Sequence, residues 1–400
     1  MDKNKKITLF LCISLISFVC LGCATIRNPV PQDLITKVTV DNMSEIRTFL
    51  GSTDSPLQRN LVASVQEERS TDYPVGADGV RVYPVLAISG GAANGAYGAG
   101  LLKGWSIEGS RPKFKIITGV STGAITAPFA FLGEDYDQEL EKIYTTLATK
   151  DVLIIKKPLR AFLGDSLSSN KPLEKQIKTM LSDEILQKIA AENKAGRRLY
   201  IGTTNLDAER FVVWDMGAIA ARGDKELFCK VILASAAIPL LFPPVFINVK
   251  VEGQRYDELH LDGGTIAQAF TVYRLIDPLI EEVKASGFDL SKFKVKHYII
   301  RNGYVAGSYA QVKDDLSSIA SRALDTMINA QGVGDTYRIY AYMKKRNNDY
   351  NLAYIPSDFR PAKKEEFDPV QMKKLFDKGY QEALAGYKWH KAPPGLEGTD

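Results

Sequence analysis

The chain has 400 residues, 45% hydrophobic and 24% charged, with a formal net charge of only +4. Length allows one large domain or two average ones, and the balance is that of an ordinary globular protein. No strong basic stripe with interleaved aromatics points to nucleic acid. Of four cysteines, Cys12 and Cys20 lie in the N-terminal apolar stretch and Cys23 just beyond it. That leaves Cys229 for the body of the protein, so no disulfide framework or cysteine zinc site is expected there.

The first residues read as a targeting segment. Lys3, Lys5 and Lys6 precede an apolar run over 7–22, too short for a comfortable membrane span, which ends in Cys20-Leu-Gly-Cys23-Ala. This pattern resembles a bacterial lipoprotein signal, with cleavage after residue 22 and lipid on the Cys23 thiol. Position 20 departs from it, being Cys where Leu is usual. With Ala24 rather than Asp after the cysteine, the resemblance implies an outer-membrane lipoprotein facing the periplasm. The protein is then anchored to the membrane and does not span it. Residues 23–81, with Pro29, Pro31, Ser52, Thr53, Ser55 and Pro56, read as a tether with at most one helix, near 41–50.

A domain is expected over 82–275. A buried strand over 82–88 runs into Ser89-Gly90-Gly91-Ala92-Ala93-Asn94-Gly95 and a glycine-rich helix over 94–107. Glycine costs a helix roughly 1 kcal/mol each against alanine, so several together predict close approach to neighbouring backbone. A second strand over 114–118 leads into Gly119-Val120-Ser121-Thr122-Gly123 and a helix over 121–132, with Pro128 as a kink or end. Helices over 137–149 and 172–193, strands over 199–203 and 210–214, and a helix over 225–235 follow. A hairpin over 246–261 then closes at Asp262-Gly263-Gly264. The remainder, 276–400, is expected to pack on this domain as a mainly helical extension. Its helices are expected near 267–286, 316–331, 335–345 and 369–387, and its strands at 295–300 and 350–355. Alternation without a linker makes the whole one α/β architecture.

Three segments carry chemistry. Glycines flanking Ser121 allow a sharp strand-to-helix turn that presents the hydroxyl. The loop at Gly90, Gly91 and Ala92 offers backbone amides for an oxyanion, worth about 3–4 kcal/mol per donor where measured. It lacks the Gly-Lys-Ser/Thr of a phosphate loop and the spacing of a dinucleotide fingerprint. Asp262 can serve as general base only if burial lifts its carboxyl above the usual value near 3.9. Structural turns are the plain alternative at each place.

Together these segments resemble the patatin-like phospholipase family over about 82–269. The stretch Ala234-Ser235-Ala236-Ala237-Ile238-Pro239 is similar to that family's segment before its aspartate. The resemblance implies a three-layer α/β/α fold with a mainly parallel sheet, and a Ser121–Asp262 dyad without histidine. It also implies an oxyanion hole at Gly90, Gly91 and Ala92, an elbow at Gly119 and Gly123, and no metal or organic cofactor. The implied activity is serine hydrolysis of lipid esters, with the membrane reached through lipidated Cys23. The loop departs from the family at Ser89, Ala92 and Asn94, the last where a basic residue is usual. A non-catalytic lipid-binding lipoprotein of the same fold is the alternative.

Two other assignments compete. A triad could recruit His297, one of three histidines. Gly164-Asp165-Ser166-Leu167 with Asp257-Glu258-Leu259-His260 spells the motifs of another esterase family.

Overall fold

In the computed structural model, residues 27–397 are described, apart from 41, 42, 44, 54, 70, 158–163, 273, 274 and 276–288. Cys23 and the targeting segment lie outside the described residues.

The described chain opens with β1 (Arg47–Phe49) and α1 (Pro56–Ala63), then β2 (Arg81–Ile88), α2 (Gly95–Glu108), β3 (Ile116–Gly119), α3 (Thr122–Leu132) and α4 (Asp137–Thr146). Next come α5 (Thr149–Val152), a two-stranded ribbon of β4 (Ile154–Ile155) and β5 (Ser168–Ser169), α6 (Lys171–Met180) and α7 (Asp183–Lys194). Then follow β6 (Arg198–Asn205), β7 (Arg210–Asp215), α8 (Met216–Ala221), α9 (Lys225–Ser235) and the hairpin β8 (Val245–Val251) and β9 (Gln254–Asp262). The chain ends with β10 (Phe293–Arg301), α10 (Leu316–Lys345), β11 (Asp349–Tyr354) and α11 (Pro369–Leu384).

The main sheet runs β1-β7-β6-β3-β2-β10-β11, and its five strands from β6 to β11 are parallel. Successive residues face opposite layers, as strand geometry requires. Leu86, Ile88, Ile117, Leu199 and Ile201 pack into the large core with α2, α3, α4 and α11. Val85, Ile116 and Tyr200 join Leu57 and Leu61 of α1 on the other face, where Ala87 and Ile299 meet Ile339 and Met343 of α10. This is a three-layer α/β/α sandwich with C-terminal helices.

The glycines of α2 are explained by contact. A Cβ on Gly100 would come within 2.0 Å of the Phe376 carbonyl, and one on Gly104 within 2.3 Å of that of Tyr380. Helices α2 and α11 therefore touch backbone to backbone.

Some elements differ from the sequence reading. Instead of a helix near 41–50, β1 adds an edge strand to β7. Arg47 there forms a buried pair with Glu258 and lies over the Trp214 ring at 5.2 Å; long-range pairing overrides local preference. The polar stretch behind it hides α1, capped reciprocally by Ser55 and Gln58 with Pro56 at its first turn. The helix over 172–193 is two, α6 and α7, parted at Leu181 and capped anew by Ser182. Residues 316–345 form one helix rather than two. Pro128 lies inside α3 without ending it. The helix expected from 267 is absent over 267–272 and otherwise falls mostly on residues outside the described set. Among the described residues no helix is long and apolar enough to cross a membrane.

Candidate active site

Strand β6 acts as the ruler of the site. On one edge its first half pairs with β3, Gly119 lying opposite Ile201. Beyond the end of β3, β9 arrives from the opposite direction and pairs with the second half, Asp262 lying opposite Thr203. Residues 119 and 262, far apart in sequence, are thus registered two positions apart, about 7 Å along one strand.

Ser121 sits at the turn out of β3 with φ 56° and ψ −124°. Such a backbone costs on the order of 1–3 kcal/mol in a non-glycine residue and persists only where surroundings enforce it. Here they do. A Cβ on Gly119 would lie 2.5 Å from the Gly123 carbonyl oxygen, and one on Gly123 would lie 2.2 Å from that of Ile88. Both flanking positions must be glycine for the turn to close. The Ser121 amide donates to Ser235 Oγ at 3.0 Å, and the Ser235 hydroxyl donates to the Gly202 carbonyl at 2.7 Å. Ser235 ends α9 and is fully buried, so it bolts the turn to β6.

Asp262 is 4% exposed. Burial pushes its carboxyl up to about 7, against the opposing hydrogen bonds from the Ser121 hydroxyl and the Gly264 amide. The Gly264 amide donates at 2.7 Å and holds the carboxylate in place. A group with that affinity accepts a proton near neutral pH, which an ordinary aspartate does not.

The glycine loop between β2 and α2 needs one correction. The Gly90 amide donates to the Gln268 carbonyl at 3.0 Å and is not free for an oxyanion. The Gly91 and Ala92 amides have no acceptor among the described residues. Gly91 has φ 157°, and a Cβ there would meet the Asn302 carbonyl at 2.0 Å. Ala92 is left-handed at φ 48°, an uncommon conformation for alanine.

Several supporting residues carried no sequence signal. Asn302, 1% exposed just past β10, donates its amide to Ser89 Oγ at 2.8 Å and its side-chain NH₂ to the Ser89 carbonyl at 3.0 Å. Its Oδ1 accepts from the Gly98 amide at 3.1 Å. The loop is thereby tied to strand and helix at once. Asp335 of α10 accepts from the Gln268 amide at 2.7 Å, bracing the segment after Asp262.

An apolar pocket opens on Ser121. Ala92, Ile125, Ile143, Leu147, Val152, Leu173, Met180, Ile238 and Phe242 line it together with Phe367 and Met372.

The competing assignments do not assemble. His297 lies four residues before the end of β10, opposite Val85, three positions and about 10 Å back from Ile88 at the end of β2. Neither of its ring nitrogens has a partner among the described residues, and burial pushes it down to about 3. His260 is engaged by Thr203 at 2.9 Å and Glu258 at 3.1 Å. Ser166 receives a hydrogen bond from Lys156 Nζ at 2.7 Å and faces Asp165. Cys229 is buried in the core, and Trp105, Trp214 and Trp389 are packing residues in aromatic contacts.

The elbow, the buried aspartate and the small-residue loop fall within one matched segment: residues 86–273 match the model of the patatin-like phospholipase family. This segment is a patatin-like phospholipase domain. The crystal structure of VipD from Legionella pneumophila is also similar. The alignment covers 80% of this chain and 70% of that one, at 14% identity and a TM-score of 0.37. No curated protein sequence matched the chain. The patatin-like domain ends well before Phe367 and Met372, so α11 and the residue range before it complete the pocket from outside the matched segment.

Proposed function

We propose that the protein is a serine acyl hydrolase of lipid esters, anchored to the outer membrane through lipid on Cys23. The observation that carries the reading is the strained Ser121 together with the buried Asp262, whose carboxyl burial lifts to about 7 and whose strand is registered beside the Ser121 turn. Ser121 Oγ attacks the ester carbonyl while Asp262 takes its proton. The oxyanion is received by the Gly91 and Ala92 amides in the turn that leads into α2, near the positive end of that helix. Asp262 then returns the proton to the departing alcohol. Water, deprotonated by the same carboxylate, attacks the acyl-enzyme, and the fatty acid leaves. The apolar pocket suits the acyl chain, since it offers no polar side chain beyond the reacting groups and the Thr122–Tyr144 pair, which hydrogen-bond each other. The test is fluorophosphonate labelling. It is expected on wild type and absent in Ser121→Ala. Label retained in Ser121→Ala and lost in Ser166→Ala would overturn the reading, and a folded wild type that takes no label would favour the non-catalytic alternative.

A further inference from the structure

We propose that the β4–β5 ribbon and the loop after α9 form a bilayer-docking patch beside the pocket mouth, with the lipid surface as its occupant. The inference rests on the lipid-anchor reading above. Ile154 is 58% exposed, Ile155 76%, Leu167 42% and Leu240 51%, unusual values for large aliphatic side chains gathered in one place. They are gathered by hydrogen bonds. β4 and β5 pair with each other, the Leu167 amide donates to the Leu240 carbonyl at 2.8 Å, and the Ser168 amide donates to that of Leu241 at 3.0 Å. Val152, two residues before Ile154, and Ile238 and Phe242, two residues either side of Leu240, line the pocket at Ser121. An apolar surface thus continues from the outside into the site.

The start of the described chain indicates what covers this patch. Arg27 is clamped by Asp207 at 2.6 and 2.8 Å and by Asp257 at 2.8 Å, and it lies over the Phe246 ring at 5.5 Å. Asp207 lies two residues past the end of β6, and Phe246 is the second residue of β8 just after the Leu240 loop, so the clamp sits at the same end of the sheet as Ser121. Only three residues separate Cys23 from Arg27, a reach of about 14 Å when fully extended. A lipid on Cys23, or the apolar run over 7–22 before it, must enter the bilayer close to that end. The anchor therefore orients the molecule with the patch and pocket mouth toward the lipid.

The full-length chain is reconstituted in vesicles of phosphatidylethanolamine and phosphatidylglycerol with brominated acyl chains. One further tryptophan is introduced at a time, and its quenching is read as the difference from the parent chain with native Trp105, Trp214 and Trp389. Ile155→Trp and Leu240→Trp are expected to be quenched at least about twofold more than Val75→Trp, since an interfacial face lies some 5–10 Å into the headgroup and acyl boundary. Val75 is exposed and pairs with Arg81 at the start of β2, the opposite end of the sheet. Equal quenching at all three positions, or none at 155 and 240, overturns the proposal. Self-association that disappears in the Ile155→Asp/Leu240→Asp variant, without quenching, also overturns it and assigns the patch to a second copy. That double variant is expected to lose about tenfold or more in hydrolysis of vesicle lipid while keeping its rate on a soluble short-chain ester. Should wild type hydrolyse no ester, the catalytic reading fails while the quenching measurement still decides the docking face.

Discussion

Among the described residues, Ser121 and Ser166 are two buried serines that each have an aspartate beside them, and the two aspartates differ in a way that bears on the proposed chemistry. Ser166 and Asp165 are sequence neighbours. Burial would raise the Asp165 carboxyl, but hydrogen bonds from Lys156 and Ser166 outweigh it and hold the carboxyl below its usual value. Its charge is satisfied, so it has little appetite for a proton. Asp262 has no cation among its partners, and burial leaves it at about 7. Ser121 is further held in a strained turn at a helix start, with unpartnered amides nearby. Both serines sit within recognisable letter patterns. Base strength and backbone geometry, not spelling, separate them.

The largest effect expected from breaking this contrast is on rate. Ser121→Ala and Asp262→Asn are each expected to lower ester hydrolysis by about 10⁴-fold or more, while Ser166→Ala leaves kcat/KM within about twofold. Steady-state kinetics on a soluble ester check both arms. On the proposed mechanism the acylation rate should also climb as pH rises through about 7, because Asp262 would take the Ser121 proton only after losing its own. Lys156→Ala is expected to leave that profile unmoved.

A smaller loss is expected for Ser235→Ala. It leaves the Ser121 amide and the Gly202 carbonyl unsatisfied in a buried place, about 1–3 kcal/mol of destabilisation, and loosens the elbow. Thermal unfolding together with a fall in kcat larger than the change in KM would register both consequences.

Next comes stability against pH. The Asp262 carboxyl has a higher proton affinity folded than unfolded, so its favourable contribution is complete at acid pH and is lost as pH rises toward about 7. Asp262→Asn should therefore be more stable than wild type above that pH, by a few kcal/mol at most, with the gap closing toward pH 4. Asp165 has the opposite sign. Its lowered affinity contributes stability above the ordinary aspartate range that disappears in acid. The side chain is half exposed, so Asp165→Asn should cost under about 1 kcal/mol at neutral pH. Paired melting curves of the two variants across pH test the signs.

Ser121, Asp262 and the glycines at 119 and 123 could be read from the chain because each lies at the end of an apolar run, where a turn is forced. The departure at Gly90 could not. Its amide is taken by the Gln268 carbonyl, a partner placed only once the segment after Asp262 has folded back across the loop. Asn302 and Ser89 are likewise separated by 213 residues and meet only because β10 lies beside β2. β1 is not legible in the sequence, because three residues of edge strand have no periodicity to show and their pairing partner is the distant β7.

Local chemistry along the chain thus determined where strands end, which serine stands at a strained turn, and that an aspartate with freed backbone follows. What only the tertiary structure decided was their meeting and their reactivity. Asp262 reaches Ser121 because β3 and β9 share one edge of β6 from opposite directions. Its carboxyl rises to about 7 because that arrangement removes it from water without supplying a cation. Desolvation depends on everything packed around a group, and no stretch of sequence around Asp262 contains that information.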